Sequence, residues 1–148
     1  MKKLLFLFIP LVLFFGCEEG DNANSNECLL YGSWDLSYSY GDGSSGVCLL
    51  YCNTSINETP CDPATTFSPD YEACEQWNFN EDGSFLITST MLIDGFVEGS
   101  WSSDCYEESI LNTQLESIGS QEYTITSINA DLLVLNILGQ TFSFIESD

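Results

Sequence analysis

The chain has 148 residues, of which 23 are Asp or Glu, two are Lys or Arg and none is His, so its formal net charge at pH 7 is −21. The two basic residues, Lys2 and Lys3, stand at the N-terminus. Catalytic centres of the Ser-His-Asp or Cys-His type are excluded because they need His, and no Lys beyond residue 3 can act as a base or form a Schiff base. Nucleic acid is not an expected partner, because affinity for phosphates depends on Lys and Arg.

The first element in chain order is an export signal. Two lysines precede an apolar run, Leu4–Phe15, which at 12 residues is too short to span a bilayer as a helix. The run Leu13-Phe14-Phe15-Gly16-Cys17 resembles the lipobox of bacterial lipoproteins. The resemblance implies that residues 1–16 are a signal peptide and that Cys17 carries the lipid, such as palmitate, as the first residue of the mature chain. An ordinary cleaved signal and a membrane anchor are the alternatives.

Residues 17–27 are polar and without periodicity, which predicts a tether that reaches about 33 Å at full stretch. Its acidic residues Glu18, Glu19 and Asp21 resemble the export signal of surface lipoproteins in the Bacteroidetes group. Together the two resemblances imply a lipoprotein of the cell envelope, held in the outer membrane by its N-terminal lipid and exposed at the cell surface.

From residue 28 the pattern is that of a β protein. Large apolar side chains alternate with polar ones over residues 34–40, which predicts a strand with one buried face. The apolar positions are Trp34, Leu36, Tyr38 and Tyr40. A turn at 41–46 leads to a returning strand at 47–52. The stretch 53–73 holds three prolines and no clear period, so we expect a long loop that a disulfide fastens.

The second half of the chain continues the alternation with short hairpin turns. Asp82-Gly83 predicts a two-residue turn, Asp94-Gly95 repeats the signal, and Gly139-Gln140 joins the last two strands. The predicted strands are 77–80, 84–91, 96–102, 123–128, 132–138 and 141–145.

Residues 105–119 allow two interpretations. The strongly β character of the flanking segments favours a strand or an irregular segment. Leu111, Leu115 and Ile118 also fit one face of a helix, for which Asp104 and Glu107 would form a capping box.

Six cysteines follow Cys17, and an even number in an exported domain predicts three disulfides. They are Cys28, Cys48, Cys52, Cys61, Cys74 and Cys105. A zinc site is the alternative, but the chain has no C-x-x-C pair and no His.

Geometry restricts the pairing of these cysteines. If Cys48 and Cys52 share a strand they lie about 13 Å apart, beyond the reach of a disulfide, so they need different partners. The pairs that would fasten the long loop and the N-terminal end are Cys52 with Cys61 or Cys74, and Cys28 with Cys105.

Several short motifs resemble those of lipocalins and of the small lipocalin-like domains of bacterial lipoproteins. They are Gly32-Ser33-Trp34, Trp77-x-Phe79-x-x-Asp82-Gly83-x-Phe85, Gly99-x-Trp101 and Tyr123-x-Ile125. Lipocalins often pack an Arg over the first tryptophan, and this chain has no Arg to do so. The resemblance implies that residues 28–148 form one all-β domain, a small antiparallel up-and-down barrel of about eight strands stapled by disulfides.

Carboxylates are the only catalytic groups that remain. Glu98, Glu107 and Glu108 could supply a two-carboxylate glycosidase, but among 23 acids some pairs lie close by chance. We therefore expect no enzyme activity, no catalytic residue and no cofactor.

The segment Asn78-x-Asn80-x-Asp82-Gly83 matches the opening of a calcium loop. The twelfth position is Ser89 rather than Glu, and the flanks are predicted strands rather than helices. We expect no built metal site, and only weak binding of divalent cations to the acidic surface.

Aromatic residues supply the predicted ligand contacts. Tyr38 and Tyr40 in the first strand, with Phe67 and Tyr71 in the long loop, could line a barrel mouth, where rings with one polar end are well suited.

Two functions fit these features. In the first, the barrel is filled by its own side chains and serves as a surface interaction or structural module with a protein partner. In the second, the barrel is a carrier that holds a small apolar or aromatic ligand in its cavity. Strand number does not distinguish them, because an eight-stranded barrel is just wide enough to be either filled or hollow.

Overall fold

The computed structural model describes residues 28–41, 47–54, 66–69 and 73–147, with the backbone alone at residues 47 and 66–69. In these ranges the chain forms ten β-strands and no helix, and hence no helix long and apolar enough to cross a membrane. The strands are β1 (Gly32–Gly41), β2 (Val47–Leu50), β3 (Thr66–Pro69), β4 (Glu75–Phe79), β5 (Ser84–Ser89), β6 (Phe96–Ser103), β7 (Ile110–Leu115), β8 (Gly119–Ile128), β9 (Leu132–Ile137) and β10 (Gln140–Glu146).

Antiparallel pairing closes the sheet into a barrel. Strands β4 to β9 each pair with the next strand in chain order, and β1 pairs with both β4 and β10. Eight strands, β1 and β4–β10, therefore form a closed ring. β2 pairs with the second half of β1, and β3 pairs with β2. The predicted all-β, up-and-down barrel of about eight strands is confirmed.

β3 lies inside the stretch 53–73, for which the sequence predicts a loop. Its four residues run parallel to β2, with Val47 opposite Thr66. A strand this short, ending in a proline, shows no alternation from which it could be predicted. The returning strand is also shorter than predicted, since β2 ends at Leu50.

A β-bulge interrupts the alternation of β1. Leu36 lies opposite Phe144 and Tyr38 lies opposite Ser143, so two steps along β1 match one step along β10. One extra residue in a strand shifts the period-two alternation, and every later side chain changes to the other face of the sheet.

The bulge turns two tyrosines away from the barrel interior. Ser39 is buried and lies opposite Phe142, whose ring packs against Trp77. Cross-strand partners share a face, so Ser39 faces the interior while Tyr38 and Tyr40 face outwards. Their rings stack 6.1 Å apart. The prediction of one buried face along the whole strand is therefore wrong beyond the bulge.

β7 decides between the two interpretations of residues 105–119. Leu111, Thr113 and Leu115 are buried and alternate with exposed residues, so the strand is confirmed and the capped helix is wrong. Leu111 and Leu115 had fitted a helix because positions four apart share one face in both kinds of element.

The first predicted hairpin turn is present but one residue longer than expected. The Gly83 N–H donates to the Asn80 carbonyl at 3.0 Å, and Gly83 has φ 81°, a conformation that glycine adopts without steric cost. The loop contains residues 81–83, the arrangement in which a type I turn is followed by a left-handed residue.

Two disulfides join described residues. Cys28 pairs with Cys105 and Cys52 pairs with Cys74, with Cα–Cα distances of 5.2 and 5.1 Å. The first pair and one of the two alternatives for Cys52 are as predicted. Cys48 is also disulfide-bonded. Cys61 lies outside the described residues.

The first disulfide fastens what we term the closed end of the barrel. It joins the segment before β1 to the β6–β7 loop. Leu30, which belongs to that segment, is fully buried. The Trp34 indole N–H donates to the Leu30 carbonyl at 3.0 Å. The N-terminal segment thus covers this end.

Gly99 on β6 is a position where the next strand leaves no room for a side chain. A Cβ there would overlap the Gln114 carbonyl oxygen and lie 3.1 Å from the Leu115 Cα. We expect Gly99→Ala to lower the free energy of unfolding by about 1–3 kcal/mol, because backbone atoms must move. Urea unfolding measures the change. Ser100→Ala, at the exposed neighbouring position, should cost much less, and equal stability of both variants would contradict the close approach.

Candidate functional site

Side chains fill the middle of the barrel, and Trp77 lies at their centre. Its ring centroid is 4.8 Å from that of Phe144, 5.5 Å from Phe85 and 5.6 Å from Tyr123. Phe79 stacks on Phe85 at 4.8 Å and continues the cluster towards the closed end. This part of the interior is thus occupied by packed aromatic rings.

A cavity of about 180 Å³ remains on the other side of Trp77. It lies near what we term the open end, where the loops 90–95, 116–118 and 138–139 connect the strands. Its lining residues are Glu75, Trp77, Ile87, Leu92, Val97, Leu115, Ile118, Gln121 and Tyr123. An apolar cavity of about 150 Å³ can hold one benzene molecule, so this space suits a ligand with about one ring.

Glu75 is a mostly buried carboxyl group in the wall of this cavity. As the first residue of β4 it shares the inner face with Trp77, two positions later. The Trp77 indole N–H donates to Glu75 Oε1 at 2.8 Å, and Ser89 on the paired strand is a second hydrogen-bond partner. Burial raises the pKa of Glu75 above its ordinary value of 4.5, although these two hydrogen bonds act in the opposite direction.

Tyr123 forms another wall of the cavity and is affected by the same burial. Loss of solvent around its hydroxyl, with a smaller contribution from the negative charge of Glu75, raises the pKa of Tyr123 to about 12. Its ring meets that of Trp77 edge to face. The cavity therefore combines two aromatic walls, one carboxyl group and otherwise mainly aliphatic side chains.

Apolar side chains surround the mouth of the cavity on the loops of the open end. Ile93 and Leu138 are fully exposed, and three further residues are exposed in part. We term this set the apolar rim: Met91, Ile93, Phe96, Ile118 and Leu138. Five other large apolar side chains are exposed towards the closed end: Leu29, Tyr31, Tyr106, Ile110 and Ile145. The apolar rim differs from them because it lies beside a cavity, and exposed apolar groups beside a cavity are typical of a surface that contacts a partner or a ligand.

Two of the four predicted ligand residues lie away from the cavity, and the side chains of the other two are not among those that the structure describes. Tyr38 and Tyr40 lie on the outer face, the backbone alone is described at Phe67, and Tyr71 lies outside the described residues. Cys17, the predicted lipid attachment site, also lies outside them.

The carboxylates considered from the sequence lie elsewhere. Glu98, Glu107 and Glu108 are all exposed, the last two in the β6–β7 loop at the closed end. Asp82 accepts the Ser84 N–H at 2.9 Å within the hairpin turn. Among the described residues, no group of three or more His, Cys, Asp or Glu side chains could hold a metal ion.

Glu75 was not among the residues proposed from the sequence. Its signal is the spacing Glu75-x-Trp77-x-Phe79, which puts an acid on the same strand face as two core aromatics. The chain has 23 acids, so this spacing alone does not single out Glu75. The closed barrel shows that the β4 face with Glu75, Trp77 and Phe79 points inwards.

Comparison with known proteins supports the fold. Neither a protein-family model nor a curated protein matches the sequence. A solved structure of a lipocalin-like protein from Bacteroides uniformis ATCC 8492 superposes with a TM-score of 0.51 and 19% identity, over 80% of this chain and 99% of that one. An uncharacterized protein from Bacteroides eggerthii DSM 20697 gives 0.49 and 14% over the same shares. The first likeness confirms the lipocalin-like barrel.

Substitution of Glu75 by Gln tests the burial of its carboxyl group. Because the folded-state pKa lies above 4.5, the group's contribution to stability is present below pH 4.5 and is lost as the pH rises through the folded-state pKa. Gln cannot ionise and still accepts the indole N–H. We therefore expect Glu75→Gln to melt at a higher temperature than the wild type at pH 7 and at the same temperature near pH 4.

Thermal unfolding followed by circular dichroism between pH 4 and pH 7 measures this difference. Glu122→Gln is the matched control, since it removes one exposed carboxylate from the outer face of β8. An equal gain at pH 7 in both variants would mean that general charge repulsion, and not the burial of Glu75, is responsible.

Proposed function

We propose that this protein is a cell-envelope lipoprotein, anchored in the outer membrane through Cys17, whose lipocalin-like barrel binds a small ligand at its open end. The observation that supports this function is the cavity of about 180 Å³ between the aromatic cluster and the open-end loops. Its mainly apolar walls with a few polar groups are typical of small-molecule sites. Its size restricts the ligand to about one ring, smaller than a long lipid chain.

The position of Cys28 fits an anchored binding protein. Cys28 is held at the closed end by its disulfide with Cys105. A tether over residues 17–27, which joins the chain at this end, leaves the open end free to face away from the anchoring point. Ligand can then reach the cavity mouth from the surrounding medium.

Interaction with another protein at the cell surface is the second candidate. The apolar rim supports it, since Ile93 and Leu138 expose their whole side chains at the end remote from the tether. The two functions are compatible, because the rim surrounds the mouth through which a ligand would enter.

Lipidation of Cys17 can be tested directly. The full chain expressed in a bacterial host that is fed an alkyne-tagged palmitate should become labelled and sediment with the outer membrane. Cys17→Ala should remove both the label and the sedimentation. An unlabelled wild-type protein would contradict the anchor, and would leave ligand binding by the barrel untouched.

Ligand binding can be tested by filling the cavity. We expect a single-ring probe, benzyl alcohol or benzylamine, to give saturation-transfer signals with the oxidised protein. Val97→Trp should abolish them, because Val97 lines the cavity and the larger ring occupies it. Val134→Trp is the control, since Val134 lies opposite Ser143 on the outer face. Circular dichroism checks that both variants fold, and Ile118→Trp at the mouth provides a second block. Equal signals from all variants would contradict binding in this cavity.

A further inference from the structure

The acidic side chains of the described ranges are exposed with two exceptions, Asp35 and Glu75. The Asp35 carboxylate accepts an N–H from Asn53 at 2.8 Å and another from Gln76 at 2.9 Å, so each of its oxygens has an amide donor. Glu75 faces the open-end cavity and accepts hydrogen bonds from the neutral donors Trp77 and Ser89. Within the part of the chain that the structure describes, neither carboxylate has a positive partner.

No residue in the described ranges can supply a positive partner for Glu75. After Lys3 the sequence contains no Lys, Arg or His. An ionised carboxylate in apolar surroundings is unfavourable unless it is paired with an opposite charge or remains protonated. Since the described residues contain no Lys, Arg or His, a cation bound beside Glu75 would supply the countercharge that they lack.

The surroundings of Glu75 favour an organic cation over a metal ion. Calcium takes six to eight oxygen ligands and magnesium requires a nearly ideal octahedron. The described residues hold no cluster of three or more metal-binding side chains. Glu75 also borders a surface pocket with Asp35, Gln76 and Ser89, but the walls of the open-end cavity are mainly aliphatic and aromatic. Such walls bind a carbon skeleton, and they cannot replace the hydration shell of a metal ion.

The aromatic walls add a second attraction for positive charge. Trp77 and Tyr123 both line the cavity, and their rings lie 5.6 Å apart. A cation within about 6 Å of an aromatic ring is attracted to its π face, most strongly for Trp. Ile87, Leu92 and Val97 line the remaining wall against which an apolar body could pack.

We propose that the ligand of the open-end cavity is a small organic ammonium ion, a protonated amine on an apolar body of about one ring, whose N–H groups donate to the Glu75 carboxylate. This inference rests on the proposed ligand binding and specifies the chemical class of the ligand. Glu75 supplies charge recognition, Trp77 and Tyr123 stabilise the positive charge, and the aliphatic walls bind the ring.

Two probes of the same size separate charge from shape. Benzylamine and benzyl alcohol share one ring and differ in the group that would meet Glu75. A hydrogen bond between charged groups contributes more than a neutral one, so we expect benzylamine to bind about ten- to hundredfold more tightly at pH 7. Isothermal titration calorimetry in about 1 M NaCl measures both affinities, because at that salt concentration the exposed acids are screened within about 3 Å.

Two variants test whether Glu75 causes the preference for benzylamine over benzyl alcohol. Glu75→Gln should reduce the ratio of the two affinities to within about threefold, since a charge-assisted hydrogen bond becomes a neutral one. Glu122→Gln should leave the ratio unchanged. In addition, benzylamine should shift the indole N–H resonance of Trp77 more than benzyl alcohol does, because that N–H donates to the same carboxylate.

The outcomes distinguish this inference from the proposed function. Equal affinities for the two probes, both lost in Val97→Trp, would overturn the inference and keep ligand binding. A preference for benzylamine that persists in Glu75→Gln would assign it to the acidic surface and likewise overturn the inference. If neither probe binds, the proposed ligand binding itself fails.

Discussion

Pairing of β1 with β10 closes the sheet, and the interior of this protein exists only because of that closure. Eight strands enclose a space about wide enough to be filled by side chains. Trp77 occupies the middle of that space and meets five aromatic rings, which belong to Phe79, Phe85, Tyr123, Phe142 and Phe144. The same cluster forms the floor of the cavity, so the packing that stabilises the fold also limits the size of a ligand.

Disulfides reinforce the barrel at the places where pairing alone would leave it open. Cys28–Cys105 holds the N-terminal segment across the closed end. Cys52–Cys74 joins the segment after β2 to the segment before β4, the two strands that share one edge of β1. The backbone N–H of Cys52 also donates to the Ala73 carbonyl at 2.9 Å. The disulfide and this hydrogen bond thus connect β2 to β4 across the gap between them, beside Glu75, the first residue of β4.

The large excess of acidic over basic residues explains where the carboxylates lie. The sequence has no cationic side chain after residue 3 that could offset their repulsion or burial by an ion pair, and the acids of the described ranges are exposed to solvent with two exceptions, Asp35 and Glu75. The two exceptions are bound by amide, indole and hydroxyl donors. Glu75 differs from Asp35 because it also faces a cavity lined mainly by apolar groups, where a neutral donor compensates a charge less well than a cation does.

Local patterns in the sequence were sufficient for most strands and for the positions of the hairpins. The alternation of apolar and polar residues was sufficient to predict β5, β8 and β9, which contain Phe85, Tyr123 and Leu133. Such alternation depends only on neighbouring residues. The bulge in β1 and the short parallel strand β3 were not predictable in this way. Both depend on the register with a strand that is distant in the sequence, and one extra residue moved Tyr38 and Tyr40 to the outer face.

The amino-acid sequence alone excludes catalytic centres that need His, and it shows that residues 4–148 contain no Lys, Arg or His to balance their carboxylates. It also establishes an even set of cysteines and an alternation typical of a barrel. Three-dimensional packing determines which cysteines meet, across a separation of 77 residues for Cys28 and Cys105. It likewise determines that Glu75, one acid among 23, faces the interior. Barrel closure sets the direction in which each strand face points, and composition contains no information about that direction.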